Sequence, residues 1–269
     1  MSFFKFKNQQ LDLSKKTYVM GILNITPDSF SDGGKFDTYE KILSRAKEIQ
    51  KEGADILDIG AQSTRPGFTQ ISAEEEWARL APILTDIRKN ITIPISVDTF
   101  YPKVAEKAIF CGADIVNDVS GTQDIEMLKV VKENKSGIIV THCYGNLDIR
   151  SFFENKLDEM LKFGINPENV CFDPGIGFSK DRMQDAYIIN NISKIKTPKS
   201  PLLVGLSRKR IVREACKCEK NDLHALEIGT LVADTVAILG GTNIIRVHDV
   251  KEAVYATKTV DYLINKKGV

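Results

Sequence analysis

The sequence of 269 residues carries only three histidines, one tryptophan and five cysteines. The cysteines (Cys111, Cys143, Cys171, Cys216 and Cys218) are odd in number and scattered through apolar contexts. That reads as reduced thiols in a cytoplasmic protein and argues against a disulfide framework. Cys216 and Cys218 have no Cys or His partner at zinc-finger spacing. No run of eighteen apolar residues exists, so no membrane-spanning helix is expected. The segment Met1-Ser-Phe-Phe-Lys-Phe-Lys lacks the apolar core and cleavage site of a signal peptide. Charge of one sign is also missing: 37 Lys plus Arg stand against 36 Asp plus Glu, for a net charge of +1. A chain built to hold nucleic acid or an anionic membrane usually shows a basic excess, so neither partner is expected. Hydrophobic residues at 42% and charged residues at 27% are globular composition. No linker-like Pro/Gly/Ser stretch interrupts the chain, which predicts one domain over residues 1–269.

What is present is a rhythm. Short apolar, β-rich runs at residues 18–24, 56–60, 95–98, 115–117, 137–142, 170–173, 202–205 and 244–247 alternate with segments of helical spacing, such as Ile42, Ala46 and Ile49. Strand and helix in alternation imply a parallel sheet, because parallel neighbours need a crossover. Eight such units in about 250 residues match a (β/α)8 TIM barrel, an α/β fold. The doubly wound rival would show a Gly-rich first turn, and Gly21-Ile-Leu-Asn24 is not one. Ser72 with Glu75 reads as a capping box opening the helix of Trp77. The last helix, around residues 222–239, stops at Gly240-Gly241. Phe4, Phe6, Leu11 and Leu13 around Asn8-Gln-Gln predict a β-hairpin in residues 1–17 that covers the barrel end opposite the active site.

The runs end on Asn24, Asp58 with Gly60, Asp98, Asn117, His142, Asp173, Ser207 with Lys209, and Arg246 with His248. A strand-end Asp or Asn commonly just caps the next helix. In a barrel, however, all eight ends converge on the mouth where catalytic residues stand. The set divides by charge. Arg65, Lys209, Arg246 and His248 suit a dianionic group, with phosphate binding expected of the seventh and eighth loops. Asp98, Asn117 and Asp173 suit a heterocycle with several N–H donors and a ring carbonyl. Asp98 and Asp173 are also compatible with a metal pair or an acid/base pair. No His or third carboxylate at ligand spacing favours a transition-metal cage. Mg²⁺ held partly by Asn24 and partly by a substrate's phosphates fits the oxygen-rich mouth better. Acids are thus expected at the barrel floor and cations at the rim. The long first and second loops, Thr26-Pro-Asp-Ser-Phe-Ser-Asp-Gly-Gly34 and Ala61-Gln-Ser-Thr-Arg-Pro-Gly67, suit closure over a ligand.

The two loop motifs, with Ile95-Ser-Val-Asp-Thr99, Val116-Asn-Asp-Val-Ser-Gly121, Phe172-Asp-Pro-Gly-Ile-Gly-Phe178, Val204-Gly-Leu-Ser-Arg-Lys209 and Arg246-Val-His-Asp-Val250, closely resemble the dihydropteroate synthase family of folate synthesis. The resemblance runs from about Thr17 to Leu263. It implies a (β/α)8 barrel, a homodimer, use of Mg²⁺ and sensitivity to sulfonamides. The implied reaction joins 6-hydroxymethyl-7,8-dihydropterin diphosphate to 4-aminobenzoate with loss of diphosphate, through a carbocation-like state. The implied roles are pterin binding by Asp98, Asn117, Asp173 and Lys209, and diphosphate binding by Asn24, Arg65, Arg246 and His248. Asn24 would also touch Mg²⁺. Thr64, Pro66, Phe178 and Ser207 would shape the aminobenzoate site. Asp98, Lys209, Arg246 and His248 would carry catalysis.

Three features depart from the family pattern. The fifth strand reads Thr141-His-Cys-Tyr-Gly145 where Met-His-Met-x-Gly is common, so Cys143 is expected to loosen the pterin pocket wall. The stretch from Gly145 to Asp173 is shorter than usual, and Ser179 replaces a more common Gly. Two other readings share the acidic residues: a methyltetrahydrofolate–corrinoid methyltransferase, and a non-catalytic pterin-binding paralogue. The first has no evident use for Arg65, Lys209 and the Arg246/His248 pair. The second rests only on the altered fifth strand.

Overall fold

The computed structural model describes residues 3–25, 35–62 and 69–265. Its elements run β1 (Phe3–Phe6), β2 (Gln9–Asp12), β3 (Tyr18–Asn24), α1 (Lys35–Glu52), β4 (Ile56–Gly60), α2 (Ala73–Asn90) and β5 (Ile95–Asp98). They continue with α3 (Pro102–Phe110), β6 (Ile115–Asp118), α4 (Ile125–Asn134), β7 (Gly137–Thr141), α5 (Ile149–Phe163), β8 (Val170–Asp173), α6 (Arg182–Asn190) and α7 (Ile192–Ile195). The chain ends with β9 (Leu203–Val204), α8 (Arg210–Cys216), α9 (Leu223–Leu239), β10 (Ile244–Val247) and α10 (Val250–Asn265). Strands β3 to β10 pair in parallel, with β10 beside β3. A single parallel bridge, Phe172 to Leu202, joins β8 to the start of β9 and closes the barrel. The expected (β/α)8 barrel is therefore the observed fold.

Strand boundaries follow the sequence with three differences, of which the first is that β6 runs one residue further, to Asp118. His142 lies just past β7, and β9 is reduced to two residues because Leu202 contributes only the closing bridge. The helix at residues 222–239 is not the last, since α10 follows β10. Ser72 caps α2 by accepting from the Glu75 N–H at 3.1 Å, but the Glu75 carboxylate turns instead to Arg79 at 2.6 Å. One half of the expected capping box is thus present, and the ion pair one turn along takes the other half.

Period-2 alternation sorts each strand's side chains between the helical shell and the barrel interior. Val19 and Leu23 of β3, Leu57 and Ile59 of β4, Val140 of β7 and Ile245 of β10 pack outward against helices. Met20, Ile56, Ile115, Ile139, Cys171, Leu203 and Ile244 fill the interior at the N-terminal end of the strands. Phe4, Phe6 and Leu11 of the antiparallel β1–β2 hairpin join that same interior cluster. The hairpin therefore plugs the bottom of the barrel. It can do so because β7 opens on Gly137: a Cβ there would lie 3.0 Å from Phe4 and 3.2 Å from Phe6. The hairpin is tied down by Lys7 N–H to Lys135 O at 2.6 Å and by Asn169 Nδ2 to Lys5 O at 2.9 Å. With the floor sealed by apolar side chains, the next inward positions along the strands are the polar ones, two residues nearer the mouth.

Candidate active site

The inward positions one layer above the apolar floor are Asp58, Asp98, Asn117, Thr141, Asp173 and Arg246, each two residues along its strand from an interior neighbour or facing one in register. Asp98 faces Gly60 on one side and Asn117 on the other. Arg246 reaches across from β10 into this group. Its Nε donates to Asp58 Oδ2 at 2.7 Å, and its Nη2 stands 2.6 Å from the same oxygen and 3.0 Å from Asp98 Oδ2. Asn117 Nδ2 donates to Asp58 Oδ2 at 3.3 Å. Asp58 is fully buried, and the second oxygens of Asp58 and Asp98 have no hydrogen-bond partner. One guanidinium thus serves two buried carboxylates and leaves an acceptor on each unused.

The expected separation of acids on the floor from cations at the rim does not hold. Arg246 lies among the acids, because an inward position on β10 places it in the same layer as Asp58 and Asp98. Asp58 received no role from the sequence, although it stood among the strand ends. It is the residue that grips Arg246 most tightly.

A second group forms where β8 and β9 meet the mouth. Asp173 accepts the Gly175 N–H at 2.7 Å, and the Lys209 ammonium donates to Ile176 O at 2.5 Å while lying 5.3 Å from the centre of the Phe178 ring. The loop holding these groups is built tightly. Gly175 has φ +67°, and a Cβ on it would sit 2.1 Å from His142 O. Lys180 secures the loop from inside by donating to His142 O, Gly175 O and Phe178 O at 2.8, 3.1 and 3.2 Å. Ser179 takes the left-handed region at φ 50°, a conformation natural to the glycine common there in the resembling family.

Ser207 Oγ and His248 Nδ1 lie 2.9 Å apart, and the His248 N–H donates to the same hydroxyl at 3.2 Å. The seventh and eighth loops are joined at this point. Asn24, at the end of β3, is exposed at the mouth. The Cys143 sulfur donates to Ser120 O at 3.2 Å, packing against the fourth loop. Thr64, Arg65 and Pro66, with the first loop from Thr26 to Gly34, lie outside the described residues.

Electrostatics follow from this packing. Burial pushes the Asp98 carboxyl up to about 7, opposed by Arg246 and reinforced by Asp58 and Glu76. Burial likewise raises Asp173, opposed chiefly by Lys209. Burial lowers Lys209, opposed by Asp173. Glu76, on the first turn of α2, is fully buried beside this cluster, and burial raises it to about 7. His142, whose ring packs edge-on against Tyr144 and Phe152, is held down to about 4 by burial and by Lys180. It belongs to an aromatic cluster outside the fifth strand. Sequence reasoning also passed over Glu76, which reads as one of three consecutive glutamates on a solvated helix start.

Among the described residues no group of three His, Cys, Asp or Glu could hold a metal ion. The donor available at the mouth is the exposed amide of Asn24. One hard oxygen donor fits a Mg²⁺ that brings its remaining ligands from a bound diphosphate and water, and does not fit a protein-built cage. The arrangement as a whole can receive a donor-rich planar ring against Asp98, Asn117 and Asp173, with an anionic group beside Arg246 and His248.

Comparison with known proteins points the same way. A family model described as pterin binding enzyme matches residues 20–248. A dihydropteroate synthase of Synechocystis is 41% identical over 267 residues, covering 94% of this chain and 92% of the relative. The structure of Xanthomonas albilineans dihydropteroate synthase with 4-aminobenzoic acid superposes with a TM-score of 0.90 at 31% identity, over 100% of both chains. That of the Yersinia pestis dihydropteroate synthase in a sulfonamide drug complex gives 0.88 at 31% identity, over 98% of this chain and 99% of that one.

Proposed function

The chain belongs to the dihydropteroate synthase family of pterin-binding enzymes, and from that premise we propose how its own residues carry the reaction. It is a transferase of folate synthesis that joins 6-hydroxymethyl-7,8-dihydropterin diphosphate to 4-aminobenzoate, giving 7,8-dihydropteroate and diphosphate. This sets aside the corrinoid methyltransferase reading. The observation that supports the residue assignment is the inward layer of Asp58, Asp98, Asn117 and Arg246 with Asp173 and Lys209 beside it.

The pterin's ring N–H groups take the acceptors of Asp98 and Asp173, with Asn117 and Lys209 completing the edge. Asp98 accepts through its unpartnered Oδ1, while its Oδ2 stays on Arg246. Asp58 and Asp98 together anchor the guanidinium through Nε and Nη2, and the positive charge they fix in place meets the diphosphate. His248, steadied by Ser207, supplies a second donor there, and Asn24 and Arg65 complete the grip. The methylene C–O bond then breaks, and its electron pair leaves with the diphosphate. Positive charge on the methylene spreads into the pterin, where ionised Asp98 stabilises it while Arg246 and His248 stabilise the leaving oxygen. The neutral arylamine nitrogen attacks the methylene, a C–N bond forms, and the resulting ammonium loses a proton to solvent. Thr64, Pro66, Phe178 and Ser207 shape the aminobenzoate site. Mg²⁺ bound at Asn24 would add neutralisation of diphosphate charge.

We also read the enzyme as a cytoplasmic homodimer built of single-domain chains. All five cysteines are free, as a reducing compartment requires, and no described helix is long and apolar enough to cross a membrane. The outer faces of α9 and α10 carry exposed Ile228, Val232, Leu239, Tyr262 and Leu263, an apolar patch of the kind that pairs subunits.

The test is direct. Purified protein with Mg²⁺ and both substrates should release diphosphate and form dihydropteroate, and a sulfonamide should compete with 4-aminobenzoate. Pterin binding with no product would point instead to the non-catalytic paralogue.

A further inference from the structure

Lys180 lies in the sixth loop, residues 174–181, between β8 and α6. It is 5% exposed, and its ammonium donates to three backbone carbonyls: His142 O at 2.8 Å, Gly175 O at 3.1 Å and Phe178 O at 3.2 Å. A buried ammonium ordinarily holds a carboxylate, whereas this one is held by carbonyl dipoles. The count matches, since an ammonium has three hydrogens to donate and no acceptor. A neutral amide could serve carbonyls with a smaller desolvation cost, so the buried charge calls for a further reason.

The three carbonyls belong to two segments. His142 stands just past β7, and the other two lie in the sixth loop itself, so Lys180 clasps that loop both to itself and to the fifth. Each segment it fixes stands beside a group of the pterin site. The Gly175 N–H donates to Asp173 Oδ1 at 2.7 Å. Ile176, the next residue, offers its carbonyl to the Lys209 ammonium at 2.5 Å. The Phe178 ring centre lies 5.3 Å from that same ammonium. Arg210, which follows Lys209, donates from Nη2 to Lys180 O at 3.4 Å and ties the loop to the start of α8.

We infer that Lys180 is a positioning residue for pterin binding: its charged ammonium holds the sixth loop in the shape that presents Asp173 to the ring, and the Ile176 carbonyl and Phe178 ring to Lys209. The inference rests on the reading that Asp173 and Lys209 bind the pterin. A neutral amine has two hydrogens for three carbonyls and turns a lone pair on one of them, so deprotonation opens the clasp. The titratable and charged groups around Lys180 are Asp173 of β8, Asp185 of α6, His142 and Cys143 of the fifth loop, Lys209 of the seventh and Arg210 of α8. Burial pulls the Lys180 ammonium down to about 8, against Asp173, Asp185 and Cys143 and with the repulsion of Lys209. The charged form therefore dominates at neutral pH and is lost as pH rises through about 8, and the pterin site loosens over the same range.

The pH dependence of binding tests it. Affinity for the pterin diphosphate, without aminobenzoate, is measured by calorimetry between pH 6.5 and 9.5 for the wild type, K180M, K180R, K209M and D173N, alongside their melting temperatures. Wild-type affinity should fall above about pH 8. K180M should bind about tenfold more weakly at pH 6.5, the scale of one lost hydrogen bond to a charged group. That gap should close toward pH 9.5, where the wild type has lost its clasp as well. K180R stays charged and still repels Lys209, so its affinity should hold to pH 9.5 whatever its starting value, while a fall caused by Lys209 would persist in it. A gap that is constant with pH, or wild-type affinity in K180M with a lowered melting temperature, would leave Lys180 a structural role only and overturn the inference. Should K180M fold poorly, K180R decides, because an alkaline fall matching the wild type's also overturns it. A flat wild-type profile overturns it without any variant. Unchanged affinity in both K209M and D173N would instead overturn the reading of the pterin site on which it rests.

Discussion

Replacing Glu76 by Gln should stabilise the protein at alkaline pH, by an amount that the site's geometry sets. Glu74, Glu75 and Glu76 occupy the first turn of α2, where the helix dipole favours negative charge. Glu74 and Glu75 are exposed and enjoy that benefit in water, but Glu76 is fully buried with neither oxygen hydrogen-bonded. Burial raises it from 4.5 to about 7, with only partial offset from the Thr99 hydroxyl and Arg79. A displacement of that size favours the uncharged form by about 3 kcal/mol, at 1.36 kcal/mol per pH unit. The sign follows from linkage: the folded state prefers the proton, so this contribution is fully present below pH 4.5 and is lost as pH rises toward 7. Glutamine keeps the shape and cannot ionise. E76Q should therefore be more stable than the wild type by about 3 kcal/mol at pH 8.5 and by less than about 1 kcal/mol at pH 5. Urea unfolding at the two pH values measures the difference, and the remaining buried acids, common to both proteins, cancel to first order. The negative charge of Glu76 also raises Asp98, so the acid limb of kcat/KM should shift to lower pH in the variant. A stability gain of equal size at both pH values, or a loss at pH 8.5, would refute the reasoning.

Three further outcomes are expected. R246M strands the carboxylates of Asp58 and Asp98 and should cost about 3–5 kcal/mol in urea unfolding at pH 8, less at pH 5.5 where Asp98 protonates, with KM for the pterin diphosphate raised. G175A would place a Cβ 2.1 Å from His142 O at φ +67°, so it should lower the melting temperature and weaken pterin binding together, both read by thermal shift with and without the pterin diphosphate. Phe6 is fully buried in the barrel floor, so F6A should destabilise by about 3–5 kcal/mol while kcat and KM measured below the melting transition stay at wild-type values.

Much of the fold was legible because barrel strands are short, doubly buried and polar only at their C-terminal ends. Runs such as Ile95-Ser-Val-Asp98 and Val170-Cys-Phe-Asp173 announce both their type and their direction. The β9 strand is the exception: Pro201 and Gly205 bracket it so closely that pairing, which is non-local, decides its length. The hairpin was legible for a related reason, since Phe4, Phe6 and Leu11 make sense only against an apolar surface that the barrel floor supplies.

What the sequence could not supply was which charges meet. Asp58 and Arg246 are 188 positions apart, and they pair because β10 closes against β3. Nothing in either local pattern encodes that closure. Glu76 and Asp234 were missed for the opposite reason, because each lies in a locally ordinary helical context. Glu76 is the third of three glutamates and Asp234 falls within Val232-Ala-Asp-Thr235. Only helix rotation turns both of them to the buried side. A net charge near zero conceals the same fact at larger scale. The acids that count are inside, where Arg246, Lys209 and Lys180 face Asp58, Asp98 and Asp173. Burial raises the carboxyls of Asp98 and Asp173 and leaves acceptors on Asp58 and Asp98 unfilled, and a donor-rich pterin is the kind of ligand that fills them.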